Sequence, residues 1–157
     1  MTSPELDLNL LGPFEARFAD GRVADLRLKT TRLLLSWLVL RPRQSGSREE
    51  IAALLWSERD ETQARQSLRQ TIAVLRRALG AEGGEVLEVD RETLTFAPGA
   101  VQSDVALLLA LGADSAVDDL ERAVARYRGE FLEGLSLRDP VGQQWLEARR
   151  AELRALA

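Results

Sequence analysis

Between Thr62 and Arg77 the side chains best suited to recognition chemistry recur at helical spacing. Thr62, Gln66, Arg69, Gln70, Ala73 and Arg77 fall on one side of a helix advancing about 100° per residue. Arg65 and Arg76 lie on one flank and Gln63 on the other. A guanidinium donates two parallel hydrogen bonds to guanine, a carboxamide pairs with adenine through both of its groups, and a small Ala lets a helix approach or touch a thymine methyl. The pattern suits a major groove. The competing reading is a solvated face, since long polar side chains favour helices and reach into water. Against it stands the sign of the charge: no Asp or Glu occurs between Thr62 and Leu79, whereas a merely solvated face ordinarily mixes signs.

The rest of the composition narrows the chemistry. Among 157 residues there is no Cys and no His, and Lys29 is the single lysine. Disulfides, thiol nucleophiles, Ser-His-Asp arrangements and His- or Cys-based zinc sites are excluded, leaving only carboxylate or Lys chemistry for an enzyme. Adjacent Glu49 and Glu50 could suggest an acid/base pair, but neighbours on a helix point apart and a capping role accounts for Glu50. No enzyme, metal or cofactor is expected. The N-terminus lacks a basic segment before an apolar run and no stretch is long enough to span a bilayer, so neither secretion nor a membrane partner is expected and a cytoplasmic home is. The net charge is −4, yet Arg27 to Gly80 carries eleven basic against five acidic residues, a local balance of +6 that leaves −10 elsewhere. Such a block fits a binding surface offset by an acidic partner segment.

The surrounding elements must position that face. Leu6, Leu8 and Leu10 alternate with polar residues, as do Phe14, Ala16 and Phe18 after the Gly12-Pro13 turn, and Asp20-Gly21 is a hairpin signal before Val23 to Leu28. A small antiparallel sheet is expected there. Thr30 or Thr31 can cap a buried helix from Arg32 to Leu40, with Trp37 in the core, and the residues from Arg41 to Gly46 read as breakers and a turn. Ser47 with Glu50 opens a short helix carrying Ile51, Leu54 and Leu55. After Ser57 to Arg59 comes the helix from Asp60 to Leu79, capped by Asp60 in a capping box with Gln63, buried through Ala64, Leu68, Ile72, Leu75 and Leu79, and stopped by Gly80. This is helix-turn-helix order. Past the loop Ala81 to Gly84, Val86 to Val89 and Thr93 to Phe96 flank Asp90-Arg91-Glu92 as a hairpin, a wing with Arg91 at its tip. Arg91 could instead pair only with its acidic neighbours.

Pro98-Gly99 reads as a boundary before acidic-capped helices. Ser103 or Asp104 caps Val105 to Leu111, and Asp114 or Ser115 starts a helix carrying Val117, Leu120, Val124 and Tyr127 that Gly129 stops. Asp139-Pro140 starts a last helix with the stripe Val141, Trp145, Ala148, Leu153 and Leu156. With no stop signal behind it, this helix is expected either to end an excised piece or to pack on further repeats.

Taken together, LNLLGPFEARFADG, Ala64, Leu68 and LRRAL at 75–79, the wing, SDVALLLAL, Tyr127 to Gly134 (YRGEFLEG), and Trp145 with Arg149 resemble the Streptomyces antibiotic regulatory protein (SARP) family over nearly the whole chain. The resemblance implies a winged-helix DNA-binding domain joined to an all-helical bacterial transcriptional activator domain of tetratricopeptide-like helix pairs. The fold class expected is thus an α+β winged helix-turn-helix, with N-terminal sheet, three helices and C-terminal wing, over residues 1–99. A helical-repeat segment, shorter than the family's, follows over 100–157. The wing lacks the Gly and Tyr often found in that family, and no nucleotide-binding loop or receiver domain accompanies it.

The function expected is that of a sequence-specific DNA-binding transcriptional activator. Gln66, Arg69, Gln70 and Ala73 are the candidates for base contact, and Arg32, Arg48, Thr62, Arg65, Arg76, Arg77 and Arg91 those for phosphates. Double-stranded promoter DNA, with direct repeats if copies pair head to tail, is the expected partner. RNA polymerase and a second copy held through the helical segment are the expected protein partners. The alternative is a winged-helix interaction or sensory module that has lost DNA binding and regulates an attached effector.

Overall fold

In the N-terminal strands Leu6 and Leu8 turn into the core while Asp7 and Asn9 stay half-exposed, the alternation a one-sided sheet requires. The computed structural model describes residues 5–80, 86–111 and 115–156. Strand β1 (Leu6–Asn9) pairs antiparallel with β2 (Glu15–Phe18). Val23 to Leu28 does not form the expected strand. It touches β2 at one bridge, Arg17 with Val23, and by the bond from the Ala24 amide to the Ala16 carbonyl. The Leu26 carbonyl then accepts from Arg32 Nε at 2.6 Å instead of joining a ladder.

Helix α1 (Lys29–Val39) starts earlier than expected and without a threonine cap. Its N-cap residue is Leu28, and Thr31 Oγ1 donates to the Leu28 carbonyl rather than accepting from the first amides. Leu33, Leu34, Leu35, Trp37 and Leu38 are buried, and buried Ser36 is satisfied by donating to the Arg32 carbonyl. The breaker region contains more order than expected: a 3₁₀ turn at Pro42–Gln44, with Arg43 and Gln44 at φ 59° and 51°, leads into strand β3 (Ser45–Ser47). Gly46 is required there because a Cβ would run into the Trp37 ring.

Ser47 and Glu50 close the expected capping box of α2 (Arg48–Leu55). Asp60 caps α3 (Glu61–Leu79) through the Gln63 amide, without a return bond from the Gln63 side chain. Ala64, Leu68, Ile72, Leu75 and Leu79 are all buried, joined by Thr71. The wing forms as β4 (Leu87–Val89) and β5 (Thr93–Phe96), and β3 adds to the other edge of β5, giving the order β3-β5-β4. The loop reading at Ala81 to Gly84 lies outside the described residues, as does Asp114.

Beyond Pro98-Gly99 the chain returns to the first sheet. Strand β6 (Val101–Ser103) runs parallel to β1, so the order is β2-β1-β6 rather than an antiparallel sheet alone. Ser103 caps α4 (Asp104–Leu109). The carboxylate of Asp104 is buried and accepts from the Leu10 amide at 2.9 and 3.0 Å and from the Leu11 amide at 2.9 Å.

Helix α5 (Val117–Arg126) begins after Ala116 without a side-chain cap. Most of its expected apolar stripe is not buried: Val117, Leu120 and Val124 are exposed, Tyr127 is half-buried against the core, and Ala123 alone in this helix is buried. Arg126, held by Asp7 and Asn9 of β1, turns the opposite side of the helix inward. Phe131 and Leu132 reach the core beside Leu10 and Leu11. Asp139 caps α6 (Pro140–Leu156) as expected. Of the expected stripe of α6, Leu153 is buried and Trp145 packs half-buried, edge-on to Phe131 at 5.9 Å, while Val141, Ala148 and Leu156 are exposed and Gly142 and Leu146 are buried in their place. Arg150 fixes this helix by donating to the carbonyls of Phe131, Leu132 and Leu135. Among the described residues no helix is long and apolar enough to cross a membrane.

Candidate nucleic-acid interface

Burying one stripe of α3 forces the other outward, and Thr62, Gln66, Arg69, Gln70, Ala73 and Arg77 are all exposed, as are Arg65 and Arg76. Toward the N-terminal half of α3 this face meets α2 and the wing. Arg48, Glu49, Arg65, Leu68, Arg69, Arg91 and Glu92 line one recess of about 610 Å³. A shallower one of about 230 Å³ continues along Thr62, Arg65, Gln66 and Arg69. Four of the expected phosphate- or base-binding residues, Arg48, Arg65, Arg69 and Arg91, thus converge from three elements. Gln70, Ala73, Arg76 and Arg77 extend the face toward the C-terminal end of α3. Arg32 stands apart: it lies half-buried on α1, with its Nε given to Leu26.

The donors differ in how far they are already committed. Arg65 pairs with Glu61 one turn earlier. The Arg48 amide donates to the Glu92 carbonyl at 2.8 Å and its Nε to the Asp90 carbonyl at 2.9 Å, which ties the start of α2 to the wing. Gln66, Arg69, Gln70, Arg76, Arg77 and Arg91 have no side-chain hydrogen bond or ion pair to any described residue. Their donors are open to an incoming acceptor. Glu49 and Glu92 were not foreseen in the recess. They halve its formal charge to +2, and the only sequence signal for them is their adjacency to Arg48 and Arg91.

The wing tip is held by Asp90, whose carboxylate accepts from the amides of Thr93 at 2.7 Å and Glu92 at 2.8 Å and from the Thr93 hydroxyl at 2.9 Å. Asp90 is therefore occupied by the turn itself rather than by Arg91, which leaves Arg91 exposed at the tip. These bonds, the Thr93 amide foremost, hold the Asp90 carboxyl below the usual carboxylate range. A carboxyl depressed in the folded state stabilises the turn above its unfolded pKa, and that contribution is lost as pH falls through the lowered value. Acid titration followed by amide chemical shifts should show Glu92 and Thr93 moving together, later than free carboxylates. In Asp90→Asn this titration should vanish.

No family model matches the sequence, and no curated protein matches it. Among solved structures, Mycobacterium tuberculosis EmbR, in complex with a low affinity phosphopeptide, shares the fold with a TM-score of 0.72. The superposition covers 96% of this chain at 23% identity. It covers 42% of the EmbR chain, so this chain spans less than half of that protein's length. What the two share is a mixed α+β arrangement of small sheets and helices like the winged-helix N-terminal part of EmbR.

Proposed function

We propose that this chain is a sequence-specific DNA-binding transcriptional activator that lays α3 in the major groove with the wing beside it. The observation that carries the reading is the uncommitted, acid-free face of α3 opening into a recess where arginines of α2, α3 and the wing converge. The fold shared with EmbR supports a regulator of the SARP type. Gln66, Arg69, Gln70 and Ala73 read bases, while Arg48, Thr62, Arg65, Arg76, Arg77 and Arg91 set the register on phosphates. Arg32 would have to release Leu26 to join them. Residues 1–99 carry the DNA-binding elements, with their first sheet completed by β6 of the following segment, and residues 100–157 lead into a tetratricopeptide-like helical unit that contacts RNA polymerase or a second copy in the cytoplasm.

The test is fluorescence anisotropy of the chain against promoter fragments and scrambled duplexes over a salt series. Binding should discriminate between duplexes and weaken as salt rises. Arg77→Ala should weaken every duplex alike and reduce the slope of log affinity against log salt by about 1. One observation favours a second reading, a protein-interaction module. The exposed Val117, Leu120 and Val124 of α5 suit a protein surface. Equal weak binding to all duplexes, unchanged by Arg77→Ala, would favour it.

A further inference from the structure

The loop leading into α3 is fastened from outside the helix-turn-helix. The Ser57 amide donates to Asp139 Oδ2 at 2.7 Å, and the Ser57 hydroxyl lies 2.8 and 2.9 Å from the two carboxylate oxygens. The same carboxylate caps α6, with Oδ1 accepting from the amides of Val141 at 2.9 Å and Gly142 at 3.2 Å. The two elements also touch directly, since a Cβ on Gly142 would lie 2.9 Å from the Leu54 carbonyl oxygen at the end of α2. From Ser57 the loop is short. The Arg59 amide bonds the Trp56 carbonyl, the Arg59 guanidinium bonds the Ser67 hydroxyl on α3, and Asp60 caps α3. Where Ser57 is held therefore constrains where α3 begins.

We infer that Asp139 is a positioning residue for the reading helix, acting through Ser57 to fix the angle at which α3 leaves the loop. The inference rests on the DNA-reading function proposed above. It also assigns the helical segment a part in recognition without any contact to DNA, because a partner that displaced the start of α6 would release Ser57.

Three substitutions separate this role from plain stability. Asp139→Asn keeps a good helix cap through its remaining oxygen but presents an amide group to the Ser57 N–H. Ser57→Ala removes the hydroxyl and leaves α6 capped, and Ser57→Thr restores the hydroxyl. Affinity for the preferred and a scrambled duplex, thermal midpoint, and native-state amide exchange would be measured for each. Asp139→Asn and Ser57→Ala should lose about 2- to 30-fold in the ratio of specific to non-specific affinity. Amides of the loop and first turn of α3 should exchange faster while the midpoint holds, and Ser57→Thr should behave as the wild type. Unchanged exchange in the first turn of α3 in Asp139→Asn would overturn the inference. So would a loss of affinity only in proportion to a fallen midpoint. If the wild type shows no preference among duplexes, the DNA-reading proposal fails, and the exchange data alone then decide whether Asp139 holds the loop.

Discussion

Arg69→Ala should cost about 1 to 3 kcal/mol in binding the preferred duplex, roughly 5- to 150-fold, and should relax preference at one base pair. The size follows from where Arg69 sits. It lines both recesses on the exposed face of α3 and has no partner among the described residues. Its guanidinium can therefore meet a guanine edge without first breaking an internal bond. Arg65, one turn earlier, must loosen from Glu61, and Arg48 is tied by Nε to the wing, so their alanine variants should weaken binding with less effect on preference. A matrix of single base-pair changes measured with wild type and Arg69→Ala would decide it. Equal losses across all duplexes would reassign Arg69 to the phosphates.

The second large effect is on folding. Asp104→Ala should destabilise the chain by about 2 to 6 kcal/mol, because two buried amides, those of Leu10 and Leu11, would each lose their acceptor. Asp104→Asn, with one acceptor oxygen left, should fall between. Burial pushes the Asp104 carboxyl above the usual carboxylate range, opposed by the Leu10 and Leu11 amides and by Arg126. A carboxyl raised in the folded state contributes stability that is complete below its unfolded pKa and is lost as pH rises through the folded value. Urea melts across the acid range should show this decline in the wild type and a flatter profile in Asp104→Asn. Identical profiles would remove Asp104 as its source.

Local signals were legible because they are written in adjacent residues. Ser47 with Glu50, Asp60 before its helix, the stripe from Ala64 to Leu79 and the Asp139-Pro140 start all report on bonds within one or two turns. What escaped was decided at long range. Ser45-Gly46-Ser47 has no apolar alternation, and it becomes a strand because β5 offers an open edge and Gly46 admits the Trp37 ring. Val101 to Ser103 pairs with β1 through a crossover that no local pattern encodes. The stripe of α5 was spaced correctly, but Arg126 bonding to Asp7 and Asn9 presents the other face to the core. At the interface, helical periodicity gave the face of α3, whereas the recess depends on α2 and the wing meeting it. The entry of Glu49 and Glu92 beside the arginines is likewise a tertiary fact.

The parallel pairing of β1 with β6 has a consequence for how the chain comes together in time. The amides of Leu10 and Leu11 find their acceptor 94 and 93 residues later, and Leu11 is bridged only when Phe131 arrives. The helices and the wing close over short loops, which form fast, while ends so far apart in sequence meet slowly. On the ribosome, β1 and β2 emerge before β6 and wait as an incomplete hairpin with one edge bare until Val101–Ser103 follow them. Strands β1 and β2 are thus among the last of the described elements to be locked, and a chaperone or a crowded neighbour would meet this molecule at these two strands.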